Sequence, residues 1–270
     1  DDGSNTCPEV KPDSCVKDEG VGRWEEVPGP TPPLTQVLLM HSVLLPNTKK
    51  VLYWGRTRAD QSRIWDYSTP AGSYAEPARQ PAAAAGGDPN VSNMWSAAHT
   101  LLDTPEGIVL VHGGLAGNST FTFNPTTLEW TRVGDTVGNR FYATTLLLAD
   151  GTAPTLFGNV ETIEIFTLGA NWGAPIPMPA SMFHHQFYPW TYLLRDGRLF
   201  IAGPHVPSQR FDINGAAVED FNSLHGNRST GSENGSSVLL ILRPPDYDQI
   251  VYRMGGDPPA VSQSAEEINL

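Results

Sequence analysis

The feature that most constrains this chain is a repeat. An apolar strand, a turn centred on Asp or Asn, a second apolar strand ending in Gly and a third strand closing near an aromatic recur five times along the 270 residues. The first copy reads His41-Ser-Val-Leu-Leu-Pro-Asn47, Val51-Leu-Tyr-Trp-Gly55 and Arg63-Ile-Trp-Asp-Tyr67. The second reads His99-Thr-Leu-Leu-Asp103, Ile108-Val-Leu-Val-His-Gly-Gly114 and Thr120-Phe-Thr-Phe-Asn-Pro125, with Trp130 beyond. The third runs from Tyr142 to Trp172, the fourth opens at Tyr188, and the fifth ends on Ala265-Glu-Glu-Ile-Asn-Leu270. The turn residues Asn47, Asp103, Asp150 and Asp196 are 56, 47 and 46 positions apart. A period of 20 to 50 residues signals an array of equivalent units, each unable to bury its apolar face alone.

A period near 50 residues with four short strands per unit, Gly-Gly closing the second strand and a late Trp is the pattern of a kelch-type β-propeller blade. The expected inner strands are 40–46, 97–102, 142–148, 188–194 and 237–242. Composition agrees: 26 Gly, 24 Pro and only 17% charged residues suit turns and strands better than helices. The stretch Pro81-Ala-Ala-Ala-Ala-Gly-Gly-Asp-Pro89 reads as an exposed loop between blades, which explains the longest interval. Trp24-Glu-Glu-Val27 matches the outermost-strand pattern Trp130-Thr-Arg-Val133 yet precedes the first inner strand, and the fifth copy stops after its third strand. Residues 1–21 read as a leader, and 22–270 as an orphan outer strand, four blades and three strands of a fifth. An open ring leaves edges and blade faces unpartnered. The expectation is therefore a second polypeptide that completes the propeller, making this chain a part of a hetero-oligomer.

A net charge of −12, from 29 acidic against 17 basic residues, argues against nucleic acid as a partner. No apolar run reaches the ~18 residues of a membrane helix. Cys7 and Cys15 are the only cysteines; a local disulfide is the first reading, with free thiols or a metal pair as alternatives. The disulfide implies an oxidising compartment, and a start at Asp1-Asp2-Gly3 reads as a processed mature end, so the expectation is secretion or the cell surface. Four sequons, at Asn90, Asn118, Asn227 and Asn234, permit glycosylation.

Gly138-Asn-Arg-Phe-Tyr-Ala-Thr-Thr-Leu-Leu-Leu-Ala-Asp-Gly151 and Phe187-Tyr-Pro-Trp-Thr-Tyr-Leu-Leu-Arg-Asp-Gly-Arg-Leu-Phe-Ile-Ala-Gly203 resemble the galactose oxidase and glyoxal oxidase group over about residues 22–270. The resemblance implies a seven-bladed propeller followed by an immunoglobulin-like domain. It also implies one axial copper held by two tyrosines and two histidines, and oxidation of primary alcohols or aldehydes by O₂ with release of H₂O₂. In that group one tyrosine is joined by a thioether to a cysteine. The Arg-aromatic-Tyr-x-Thr motif places that tyrosine at Tyr142, while the cysteine's segment, Asn93-Met-Trp-Ser-Ala-Ala-His99, carries Ser96. A hydroxyl cannot make the cross-link, so no Tyr-Cys cofactor is expected. The remaining copper ligands belong to later blades and the following domain, so copper is expected only with a partner chain. Without copper, Tyr142 reads as an axial aromatic with its hydroxyl bonded in the channel. Tyr188 stands eight residues before Asp196 as Tyr142 stands eight before Asp150, which gives it the same blade position. His184-His185 reads as a loop-end surface pair, and His41, His99, His112, His205 and His225 as dispersed core or polar residues. The alternative functions are a non-catalytic module that binds surface glycan on platforms such as Trp95 and Trp190, and a structural subunit of a surface assembly.

Overall fold

The computed structural model describes residues 39–56, 61–68, 72–88, 92–182, 187–213, 217–222, 235–256 and 264–270. Cys7, Cys15, the orphan strand Trp24–Val27, the His184-His185 pair and His225 lie outside them. Among the described residues twenty strands form five antiparallel sheets in chain order, with almost no helix.

Blade one is β1 (Leu39–Leu44), β2 (Lys50–Gly55), β3 (Ser62–Asp66) and β4 (Ser73–Ala75), paired in that order. Blade two is β5 (Ala97–Leu101), β6 (Val109–Gly113), β7 (Ser119–Asn124) and β8 (Glu129–Asp135). Blade three is β9 (Thr144–Thr145), β10 (Ala153–Leu156), β11 (Thr162–Thr167) and β12 (Asn171–Trp172), with β13 (Ile176–Pro177) also on β11. Blade four is β14 (Trp190–Leu193), β15 (Leu199–Gly203), β16 (Ser208–Phe211) and β17 (Val218–Phe221). The fifth sheet has three described strands, β18 (Gly235–Leu239), β19 (Ile250–Gly255) and β20 (Ala265–Asn269).

The acidic turns of the repeat have a shared mechanism. Asp150 Oδ1 accepts the Thr152 amide at 2.9 Å, and Asp196 Oδ1 accepts the Arg198 amide at 3.0 Å, so each carboxylate closes its own turn between the first and second strands. The residue type at that repeat position is therefore dictated by backbone chemistry.

Blades stack because a β-strand side chain alternates between faces and both faces here are apolar. Each interface is a separate core. Val43, Leu52, Trp54 and Ile64 of blade one meet Ala97, Val111, Phe121 and Trp130 of blade two. Leu110 meets Ala153 and Phe166 between blades two and three, Leu156 and Ile163 meet Leu199 and Phe211 between three and four, and Phe200 meets Val251 between four and five. The late Trp of a blade clamps its predecessor. Trp130 Nε1 donates to Ser62 Oγ on β3, and Trp172 Nε1 donates to Thr120 Oγ1 on β7, both at 2.8 Å. At the last interface Tyr192 and Ser237 hydroxyls bond at 2.6 Å.

Two expectations need correction. The first is Pro81–Pro89. Its first turn is a helix, α1 (Pro81–Ala84), with Pro81 buried and Ala84 and Ala85 packed on the core between blades one and two. Pro at the first helical position and a run of Ala favour a helix, and small methyls fit against that core. The second is the inner strand of blade three, whose regular ladder spans only Thr144–Thr145: the left-handed backbone of Tyr142 delays its start, and beyond it Leu146 and Leu148 still donate to the Pro154 and Thr152 carbonyls, while Pro154 has no N–H to return. Blade four behaves in the same way, with β14 starting two residues after Tyr188.

Candidate functional site

Three residues that open successive inner strands share one unusual backbone. Ser96, Tyr142 and Tyr188 have φ of 64°, 60° and 39°, a region that a non-Gly residue enters only when the surroundings compel it. Here the compulsion is a ladder of main-chain hydrogen bonds from blade to blade. The Tyr142 amide donates to the Ser96 carbonyl at 3.1 Å, and the Tyr188 amide donates to the Tyr142 carbonyl at 2.9 Å. The three positions are thus structurally equivalent and lie side by side around the axis.

Gly113 and Gly114, at the end of β6, make the ladder possible. Both have positive φ, and the Gly114 amide donates to the Arg140 carbonyl while the next amide, that of Leu115, donates to the Trp95 carbonyl. A Cβ on Gly113 would sit 2.1 Å from the Arg140 oxygen, and one on Gly114 would sit 2.3 Å from the Trp95 oxygen. Only glycine lets the turn wedge between the segments that carry Ser96 and Tyr142.

Arg140 fixes the other side. Its guanidinium, fully buried, donates to the Phe157 and Thr162 carbonyls at 2.8 Å and pairs with the equally buried Glu164 at 2.6 Å. Glu164 in turn accepts the Val137 amide at 2.8 Å. A buried, ion-paired arginine therefore anchors the turn from which Phe141 and Tyr142 project.

The Tyr142 ring is held by aromatic neighbours. Phe141, Phe187, Tyr188 and Trp95 lie with centroids 4.2, 5.0, 5.1 and 6.5 Å away, all edge to face. Trp95 carries the Arg56 guanidinium over its face at 4.9 Å. Tyr142 and Trp190 are half-buried, as is Trp95, whereas Ser96 is buried.

A second cluster lies beside the first, where blades one, two and four converge. His41 of β1 and His99 of β5 meet edge to face at 5.5 Å. The buried Trp54 is stacked on His41 and edge-on to His99, at 5.2 Å from each. Tyr188 reaches across to His41 at 6.3 Å, and its hydroxyl donates to the Ala97 carbonyl at 3.4 Å. Burial holds both imidazoles neutral, pushing each pKa down to about 4, and the neighbouring His99 further disfavours protonation of His41. A cavity of about 150 Å³ opens here, lined by Ala97, His99, Ala143, Thr144 and Tyr188 among others.

The sequence expectation that Ser96 and Tyr142 belong to one site corresponds to the 3.1 Å main-chain bond between them. His41, His99 and Trp54 form a cluster that sequence reasoning left dispersed. The only available signal was that both histidines open inner strands at the same end of their blades. Among the described residues no three His, Cys, Asp or Glu side chains gather to hold a metal, and Tyr142 is walled by aromatic rings. The described residues therefore do not make up the four-ligand copper site of the resembling group.

Comparison with known proteins finds no matching family model and no matching curated protein. Among solved structures, the chain is similar to a fungal alcohol oxidase of the AA5 family, solved in complex with copper, at a TM-score of 0.58 and 16% identity. The match covers 85% of this chain and 53% of that one, so the chain spans about half the length of the oxidase, and what the two share is the β-propeller arrangement.

Proposed function

We propose that this chain is the N-terminal arc of a secreted galactose oxidase/glyoxal oxidase-like propeller protein. In this reading the complete ring also holds the outer strand of blade five and two more blades, and an immunoglobulin-like domain follows it. The completed protein oxidises primary alcohols or aldehydes with O₂, releasing H₂O₂. The observation that carries the reading is the hydrogen bond between the Ser96 carbonyl and the Tyr142 amide. It sets side by side, at one end of the axis, the two positions that a cross-linked cofactor joins in the group the sequence resembles. Apolar side chains at both ends of the arc support the missing blades. Leu39, Met40 and Leu44 of blade one, and Val238, Leu240, Leu242 and Met254 of blade five, are each between 38% and 57% exposed.

Ser96 favours a second reading, because a hydroxyl cannot form the thioether: a non-catalytic relative that binds surface glycan through half-buried Trp95 and Trp190, or serves as a structural subunit. One experiment separates the two. The chain is purified with any polypeptide that accompanies it, loaded with copper, and assayed for H₂O₂ release on primary alcohols and aldehydes, alongside a Ser96→Cys variant. The oxidase reading expects turnover in the parent, raised by the variant as the introduced thiol forms a thioether to the Tyr142 ring, with loss of two hydrogens in the peptide mass. Silence from both, with glycan binding that depends on Trp95 or Trp190, establishes the second reading.

A further inference from the structure

His41 and His99 are two neutral imidazoles brought together from different blades. A neutral imidazole keeps one ring nitrogen with a free lone pair, the donor that a metal ion needs. An ion about 2.0–2.1 Å from a ring nitrogen lies about 3.2 Å from that ring's centre, so two imidazoles can share it at centroid separations up to about 6.4 Å. The observed 5.5 Å, edge to face, is within that reach. Tyr188 brings a phenol from a third blade, 6.3 Å from His41 ring to ring, and lines the same small cavity as His99. Trp54, fully buried, closes the far side and keeps the surroundings apolar.

We propose that His41 and His99, with the Tyr188 hydroxyl as third donor, form a site on the propeller axis for one divalent transition-metal ion, copper(II) or zinc(II). Two imidazoles and a phenol suit these ions, and copper(II) stands highest in the general affinity order. The site is distinct from the Tyr142 position and does not rest on the oxidase reading. A metal held here is detectable whether or not H₂O₂ is released.

The test uses the full chain. After incubation with copper(II) or zinc(II) and passage over a chelating resin, bound metal is counted by mass spectrometry, and the copper form is examined by pulsed electron paramagnetic resonance. The expected result is one ion per chain, with two imidazole nitrogens on copper. Affinity should fall on the order of 100-fold or more in a His41→Gln/His99→Gln variant. A His184→Gln/His185→Gln variant should bind as the parent does. Should the first variant fail to fold, Tyr188→Phe and the nitrogen count on the unaltered chain still decide. The phenol's loss should weaken binding and alter the copper spectrum. No retained metal, fewer than two coordinated imidazoles, or binding that is lost with His184 and His185 and kept without His41 and His99 overturns the proposal.

Discussion

Lowering the pH of the metal-free protein from 7 to 5 should destabilise the arc steeply, because two buried histidines, His41 and His112, and the half-buried His99 must stay neutral for it to fold. Burial pushes His41 and His99 down to about 4 and His112 to about 3, from an ordinary value of 6.5. Neighbouring charges add to this: His99 acts on His41, and Arg140 and His99 act on His112. His112 is fully buried, and among the described residues neither ring nitrogen has a hydrogen-bond partner. The direction follows from proton linkage. Above pH 6.5 these groups are neutral in both states and contribute no pH dependence. Between 6.5 and the folded values the unfolded chain binds protons that the folded chain refuses, so stability falls as pH falls, and the loss levels off below about 4 for His41 and His99. At about 1.4 kcal/mol per unit, each histidine forfeits about 2 kcal/mol between pH 7 and 5, and the three together about 5 to 6 kcal/mol. Domains hold roughly 5 to 15 kcal/mol in all, so the protein should be near its unfolding threshold at pH 5. The carboxylates held low, the half-buried Asp66 and the exposed Asp150 and Asp196, titrate below this window. Urea unfolding at pH 7, 6 and 5 reads the slope directly, and histidine nuclear magnetic resonance titration assigns it. A change below about 1 kcal/mol, or imidazole titrations near 6.5 in the folded chain, would refute the reasoning.

Three other outcomes follow from the packing. Glu164→Ala leaves the buried Arg140 guanidinium without its counter-ion and should cost about 3 to 5 kcal/mol by chemical denaturation, with Glu164→Gln costing less because it still accepts a hydrogen bond. Gly113→Ala forces a methyl to 2.1 Å from the Arg140 carbonyl at φ +75°, so the variant should lower the melting temperature by many degrees or fail to express folded, whereas Gly151→Ala, with open space around it, should cost only the strain of its positive φ. Size-exclusion chromatography with mass detection should show the chain associated with a partner or with copies of itself. A monodisperse, cooperatively melting 29.3 kDa species would show that the arc stands alone.

Much of the fold was legible because a repeat states its rule several times. Asp150 and Asp196 announce turns through local Asx bonding, and apolar runs at a period near 47 announce blades. Both are short-range effects, so position in the sequence is enough to find them. The short helix at Pro81–Ala84 carries a local signal, Pro at its first position and a run of Ala, but the Gly-Gly-Asp-Pro that follows reads as a loop, and only the packing of Ala84 and Ala85 on the core between two blades decides for the helix.

The candidate site divides along the same line. Sequence alone singled out Tyr142 and Ser96 and paired Tyr188 with Tyr142 by offset, since equivalent positions in a repeat keep equal distances from the same turn. Only the tertiary structure decided that these residues share a left-handed backbone joined by a ladder of inter-blade hydrogen bonds, and that Trp130 and Trp172 reach back to hydroxyls on the preceding blade. It also decided that His41 and His99, 58 residues apart, meet ring to ring against Trp54. The physical reason is that closing a repeat around an axis brings together residues that are remote along the chain. Which side chains then point inward depends on strand register and on one or two positive φ angles, and neither is written in any single copy of the repeat.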